Sequence, residues 1–371
     1  MKKVFKILLI GILLLNNSVS AQSVESNIQA IIDSIYASNQ SSVRIMISVK
    51  SPERNISWSG AIGYTNTTDK TNLEPDQPAL IASNTKTYVS ATILRLVENG
   101  KLSIDQPIKN LLTPKTRSLF IEGGYNLDSI MVKHLLSHTS GIEDYANQAY
   151  IDSINVNKKH RWTRDEQLAL TIKVGPPLGK PETVFSYSDA NYLLLTEIIE
   201  NITEQPFYTA MRELLRYESL GIDNTWFPTL EGKPKGTKAL VHQYWSEYNW
   251  DSNELDISVD LYGGGGIAST THDLASFAYG LFNNEIIKDT AVLNLIYTEI
   301  PTRDSEPSRY YFGLSSYSYD GLNAFGHGGF WGTRVLYFPE LKTSIAVYVL
   351  ERDKRGLINE ILEEVIELLN D

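Results

Sequence analysis

Both ends of the chain carry the same elements in opposite order, and no other feature narrows the possible folds as much. From the N-terminal side, Val24, Ile28, Ile31, Ile32 and Ile35 mark one face of an amphipathic helix. Val43–Val49 and Ser57–Ile62 then alternate as strands do, separated by the turn-rich SPERN segment. Toward the C-terminus, Arg334–Phe338 and Ser344–Leu350 read as strands joined through Pro339-Glu340, and Leu357, Ile358, Ile361, Leu362, Val365 and Leu369 mark a closing helix. Strands so far apart in sequence satisfy their backbone groups most simply by pairing with one another. The pattern therefore predicts an α+β fold: an antiparallel sheet built from both chain ends, flanked by the N- and C-terminal helices, with an inserted helical region. The expected boundaries are 22–100 and 261–371 for the sheet domain and 101–260 for the mostly helical insertion, with a site where the two meet.

Chemistry enters at Ile81–Gly100, IASNTKTYVSATILRLVENG. Val89, Ile93, Leu96 and Val97 form an apolar face of period 3.6, and Asn99-Gly100 supplies a left-handed stop, so Ser83 and Lys86 fall at the N-terminal end of a buried helix. Three residues apart is one helical turn, which brings the Lys86 amine within reach of the Ser83 hydroxyl. A serine hydroxyl is a poor nucleophile at neutral pH until a base takes its proton, and a helix N-terminus favours the negative charge that develops. Ser83 is the only serine in the chain that stands three residues before a lysine.

Residues 1–21 have the pattern of a secretory signal: Lys2, Lys3 and Lys6, an apolar run from Ile7 to Leu15, and Val19-Ser20-Ala21 before Gln22. Nine apolar residues are too few to span a bilayer, which takes about 20. The expectation is an exported protein, periplasmic or secreted, with no membrane anchor after cleavage. Of the 33 basic residues the three lysines would leave with the signal, so 30 remain against 44 acidic ones, a net charge of −14. That balance argues against nucleic acid or anionic membranes as partners. The absence of cysteine excludes disulfides, thiol catalysis and cysteine-ligated zinc, and no cofactor is expected.

The middle of the chain offers further groups. In LLSHTSGI, His134 and His138 stand four apart, but no glutamate follows the first as a zinc-protease helix requires, so no metal site is expected. Tyr187 stands in a polar turn ahead of a helix marked by Leu194, Ile198 and Ile199. Gly263–Gly266 are followed by no Gly-Lys pair, fit no phosphate loop, and suit close backbone approach. FGHGGFWGTR at Phe325–Arg334 runs just before and into a predicted strand, where glycines mark a place that another backbone or a ligand approaches. No serine lies at the centre of G-x-S-x-G, which excludes that hydrolase class.

Taken together, Ser83-Asn84-Thr85-Lys86, Tyr187-Ser188-Asp189 and His327-Gly328-Gly329 resemble the three motifs of the serine penicillin-recognising hydrolases. The branch most similar holds class C β-lactamases, D-alanyl-D-alanine carboxypeptidases, D-aminopeptidases and related esterases. LLSHTSGI, NYLLLTEIIE and GGGGIASTTHDLASF look like segments of that branch in the same order, so the resemblance runs from about Ile28 to Leu350. It implies Ser83 as acylated nucleophile, Lys86 as its proton partner, and Tyr187 as a proton shuttle whose phenolate the neighbouring lysine favours. It also implies an oxyanion hole from the backbone N–H groups of Ser83 and Phe330, and substrate contacts from Asp189, His327, Gly328 and Gly329. Tyr145-Ala146-Asn147 and Lys342-Thr343-Ser344 imitate two of the motifs but stand in the wrong context, the first directly after LLSHTSGI and the second after the Pro-Glu turn.

Two departures bear on the substrate. Asp189 replaces the usual asparagine, which lets it pair with Lys86 or select a substrate amine. Gly328 and His327 stand where β-lactamases have threonine and lysine. A histidine of ordinary pKa there predicts that preference for anionic substrates falls as pH rises through about 6–7. The function implied is an exported serine hydrolase working through an acyl-enzyme on a small-molecule or peptide substrate: a peptide amide, with D-amino acids foremost, or an ester. The alternatives are a β-lactamase and a non-catalytic penicillin-binding or scaffold protein of the same fold. The sequence is silent on oligomeric state.

Overall fold

The computed structural model describes residues 24–39, 42–303 and 309–370. The signal assigned to residues 1–21 lies outside them. Six antiparallel strands form the main sheet: β1 (Ile45–Ser51), β2 (Ile56–Ile62), β3 (Ser315–Tyr319), β4 (Leu322–Gly329), β5 (Thr333–Phe338) and β6 (Thr343–Val349). Their order is β2-β1-β6-β5-β4-β3, so the two ends of the chain meet at the β1–β6 seam, with Ile45 opposite Val349 and Val49 opposite Ile345. The sheet expected from both chain ends is therefore present, with ends shifted by one or two residues.

Alternation explains the two layers that cover it. Ile45, Ile47 and Val49 on β1, with Ile345, Val347 and Val349 on β6, point to one face. There they meet α1, the helix over residues 24–38, and α5 (Leu357–Asn370). Ile358, Ile361, Leu362, Val365, Ile366 and Leu369 of α5 are all buried, each contributing roughly 1.5–3 kcal/mol. Met46, Ala346 and Tyr348 point to the opposite face and join a second core that runs without a break into the insertion, through Tyr88, Phe120, Leu194 and Phe277. Packed there are α2 (Thr85–Glu98), α3 (Asp189–Thr203) and α4 (Thr271–Phe282). Among the described residues no helix is long and apolar enough to cross a membrane.

Two strands escaped the sequence reading, β3 and β4. His327, Gly328 and Gly329 are inside β4, not ahead of a strand, and the turn at Phe330–Gly332 leads into β5. Two of the glycines that lower the strand signal, Gly326 and Gly329, are required by close approach. A Cβ on Gly329 would lie 2.3 Å from the Ile81 carbonyl oxygen, and one on Gly326 would overlap the Val335 carbonyl. Gly329 thus lets β4 pass directly against the turn that carries Ser83.

Candidate active site

Helix α2 is buried on nearly every side, and its start is built to hold one serine. Ala82–Asn84 form a 3-10 turn ahead of Thr85, with Ala82 in the left-handed region at φ 46°, a strained setting for a residue with a Cβ. The turn is pinned to β5: Asn84 Nδ2 donates to the Ile81 carbonyl (2.8 Å) and to Thr333 Oγ1 (2.9 Å), and Thr333 Oγ1 donates to the same carbonyl (3.0 Å). Ser83 is thereby presented to a cleft of about 900 Å³ that Tyr187, Asp189, His327, Gly328, Gly329 and Phe330 also line. Phe330 directly follows β4, and its N–H has no backbone partner among the described residues. The structure thus brings the sequence-derived candidates to one place, with Lys86 as its floor.

Lys86 has no exposed surface. Its Nζ donates to Ser83 Oγ (3.1 Å) and to the Gly264 carbonyl (2.5 Å), and it pairs with Asp189 Oδ1 at 2.6 Å. Burial pushes the ammonium down, but Asp189, Tyr187 and Asp260 outweigh it and hold the group above the usual lysine range. Tyr187 lies beside it, with Nζ 4.8 Å from its ring centre. Its hydroxyl differs from the expectation: burial raises it well above the ordinary tyrosine range, and Lys86 and Ser83 only partly offset this while Asp189 adds to it. The resting site therefore holds a cationic lysine and a neutral tyrosine, and a lysine-stabilised phenolate is not its ground state.

His327 also departs from its expected role. It is buried, its Nδ1 faces the Gly328 carbonyl (2.6 Å) and its Nε2 faces the Tyr310 hydroxyl (3.2 Å). Burial first, and Lys86 second, push it down to about 3, so it is neutral across the physiological range. The predicted loss of anion preference between pH 6 and 7 accordingly has no titrating group at this position.

LLSHTSGI has a positioning role that the sequence did not reveal. His138 is fully buried, packs with its ring centre 4.2 Å from that of Tyr187 at a tilt of 35°, and accepts at Nδ1 from the Ser188 N–H (3.2 Å). Asn191 Nδ2 lies 3.1 Å from the same nitrogen, and Ser188 Oγ donates to the Glu143 carbonyl (2.8 Å). His134, in contrast, pairs with Glu182 at 2.9 Å, so the two imidazoles serve separate networks. Neither imitation of the motifs supplies a group hydrogen-bonded to Ser83 or Lys86 among the described residues, although Ala146 lines the cleft. Tyr145 is buried against Tyr150, and Lys342 pairs with Glu53.

Two carboxylates were not singled out in the sequence, Asp144 and Asp260. Both line the cleft beside Asp189. Burial first, then Asp189, raises each from 3.8 to about 7. The glycine run explains why Asp260 sits so close: a Cβ on Gly265 would overlap its carboxylate. Because the folded-state pKa of Asp260 exceeds the unfolded value, the stability it contributes is fully present below about pH 4 and is lost as pH rises through about 7. Asp260→Asn is expected to stabilise the fold at pH 8 by on the order of 2 kcal/mol and to change little at pH 4. Urea denaturation at both pH values checks this, and an equal effect at the two would rule the charge account out.

A family model described as Beta-lactamase matches residues 53–357. Among solved structures, the chain is similar to the D-amino acid amidase from Ochrobactrum anthropi SV3 complexed with L-phenylalanine amide, with 23% identity and a TM-score of 0.77, over 94% of this chain and 99% of that one. It is also similar to a D-stereospecific amidohydrolase from Streptomyces sp., with 20% identity and a TM-score of 0.70, over 91% of this chain and 98% of that one. Among curated proteins it matches Protein flp of Staphylococcus aureus (strain COL) at 29% identity over 203 residues, 54% of this chain and 34% of that protein. The match thus spans about a third of that relative's length.

Proposed function

We propose that this chain, which belongs to the Beta-lactamase family, is an exported serine hydrolase that acylates Ser83 and acts on peptide amides, those with D-amino acids foremost, or on esters. One observation carries the reading: the Ser83 hydroxyl lies 3.1 Å from the ammonium of a fully buried Lys86, at the mouth of a cleft beside Tyr187. The D-amino acid amidase and D-stereospecific amidohydrolase of similar fold supply the D-amide part of the proposal.

In this reading Ser83 Oγ attacks the scissile carbonyl and its proton passes to the Tyr187–Lys86 pair, after that pair has first released one proton to solvent. The N–H groups of Ser83 and Phe330 receive the oxyanion, where each such donor contributes about 3 kcal/mol in the transition state. Collapse breaks the C–N bond, the pair returns the proton to the departing amine, and water then attacks the Ser83 ester with the pair again as base. Residues 1–21 direct export, and a mature protein beginning at Gln22 is the expected product. Charge makes a small molecule or peptide the partner, not nucleic acid.

Intact-protein mass after incubation with a fluorophosphonate, and separately with a penicillin, tests the mechanism. The expected result is a covalent adduct that Ser83→Ala abolishes, with turnover falling by roughly 10⁴-fold or more. A short-lived penicillin adduct would turn the assignment to a β-lactamase. No adduct with either reagent would refute acyl-serine chemistry and leave a binding protein.

A further inference from the structure

The two edges of the main sheet are finished differently. β3, at one end of the strand order, is partly covered: Ser315 bridges to Tyr310, and the Ser316 N–H donates to the Arg309 carbonyl. β2, at the other end, pairs with β1 along its whole length, from Ser51 opposite Ile56 to Ile45 opposite Ile62. On its outer side no backbone N–H or carbonyl from Ile56 to Ile62 has a partner among the described residues. Ser57 is exposed, and Trp58, Ser59, Ala61 and Ile62 are partly so. Edge strands are ordinarily guarded by a charged side chain, a proline or a bulge, and β2 has none of these.

Charge marks the same stretch. From Asn55 to Thr68 no residue carries a charge, in a chain that is 21% charged and holds 44 acidic residues against 33 basic ones. Two copies of so acidic a protein repel each other over most of their surface. Along β2 they can approach without that repulsion.

The strand is also complementary to itself. Two copies related by a two-fold axis at Ser59 run antiparallel, with Ile56 opposite Ile62, Ser57 opposite Ala61, Trp58 opposite Gly60, and Ser59 opposite its own counterpart. All seven residues pair in this register, and any slip leaves strand ends unpaired. Trp58 folds along its own strand over Gly60, where a Cβ would come 2.3 Å from the indole. Across the axis each indole then meets a residue without a side chain, so no two bulky groups collide.

We infer that β2 pairs with β2 of a second copy of this chain, joining the two six-stranded sheets into one across a two-fold axis at Ser59. The cleft stays open in such a dimer, because β1 and β6 separate β2 from β5 and β4, whose residues line it. The pairing stands apart from the hydrolase reading and does not depend on it.

Sedimentation velocity and cysteine cross-linking test the surface and the register. Wild type at about 50 μM is expected to sediment with twice the mass of one chain. Ser59→Lys sets two like charges together on the axis and is expected to weaken association by roughly 100-fold or more, with an unchanged circular dichroism spectrum. The chain has no cysteine of its own, so a single introduced thiol can bridge only to a second copy. Ser59→Cys places the two thiols on directly opposed residues, about 5 Å apart at Cα, and should give a covalent dimer on mild oxidation. Ser57→Cys, on a more exposed residue of the same strand, places them about 13 Å or more apart and should not. A monomeric wild type overturns the proposal, as does a dimer that survives Ser59→Lys. Cross-linking of Ser57→Cys as fast as Ser59→Cys would show random collision and overturn it too. Should Ser59→Lys fail to fold, the two cysteine variants decide between these outcomes.

Discussion

Lys86→Met is expected to lower kcat/KM by about 10³-fold or more and to destabilise the fold in a pH-dependent way. Both effects come from one atom. Nζ contacts Ser83 Oγ, the Gly264 carbonyl and Asp189 at once, so methionine keeps the volume and removes the proton route from the nucleophile. General acid–base groups contribute roughly 10²–10⁴ in rate, and loss of the proton route should fall in the upper part of that range. The stability effect follows from the carboxylates. Asp189 loses its buried partner, and Asp260 and Asp144 lose the cation that opposes their rise. Breaking a buried pair from one side typically costs about 3–5 kcal/mol. The cost should be largest at pH 8, where Asp144 and Asp260 ionise, and smaller at pH 5, where their protonation relieves the repulsion. Urea titrations at the two pH values, alongside steady-state rates, check both halves. A variant equally stable at both pH values would mean that Lys86 is not the counter-ion of this cluster.

The fold was legible because its outer layer obeys simple periods. Ile28, Ile32 and Ile35 at one end and Ile361, Leu362, Val365 and Leu369 at the other repeat as helices do, and β1 and β6 alternate as strands do. β4 was obscured because Gly326, Gly328 and Gly329 carry no side chains to alternate, and Gly326 and Gly329 are glycine because of Val335 and Ile81, which lie across a strand or far away in sequence. The site was legible to the extent that its parts are local motifs: Ser83 and Lys86 sit one turn apart, and Tyr187 and Asp189 share one turn. Protonation was not legible. His327 has an ordinary histidine's pKa only in water, and its burial against Tyr310 and Lys86 keeps it neutral. Asp144 and Asp260 gave no signal, since each is a single acid in a loop until folding places both beside Asp189. Arg334 read as the start of a strand, and its bonds to Tyr319 and Asn359 join residues far from it in sequence.

Asp189→Asn is expected to move the acidic limb of the pH profile of kcat/KM, read with a neutral ester, toward lower pH by about one to two units. The exchange is nearly isosteric and removes one negative charge 2.6 Å from Lys86 Nζ. Asp189 is the largest influence raising the lysine against its burial, and it adds to the burial that raises Tyr187. Without that charge both groups release a proton more readily, and a deprotonated pair is what accepts the Ser83 proton. Where the wild-type limb lies above neutrality, the rate at pH 7 should rise by roughly tenfold for each unit of displacement. The same change relieves Asp144 and Asp260, each raised in part by Asp189, so their carboxyls should ionise at lower pH and the cleft should keep most of its negative charge at neutrality. Geometry and charge separate cleanly in this experiment. A lost orientation would lower the high-pH plateau and leave the limb in place, whereas the electrostatic role moves the limb and spares the plateau. A limb that stays fixed, or moves toward higher pH, would show that Asp189 does not set the protonation of the Lys86–Tyr187 pair.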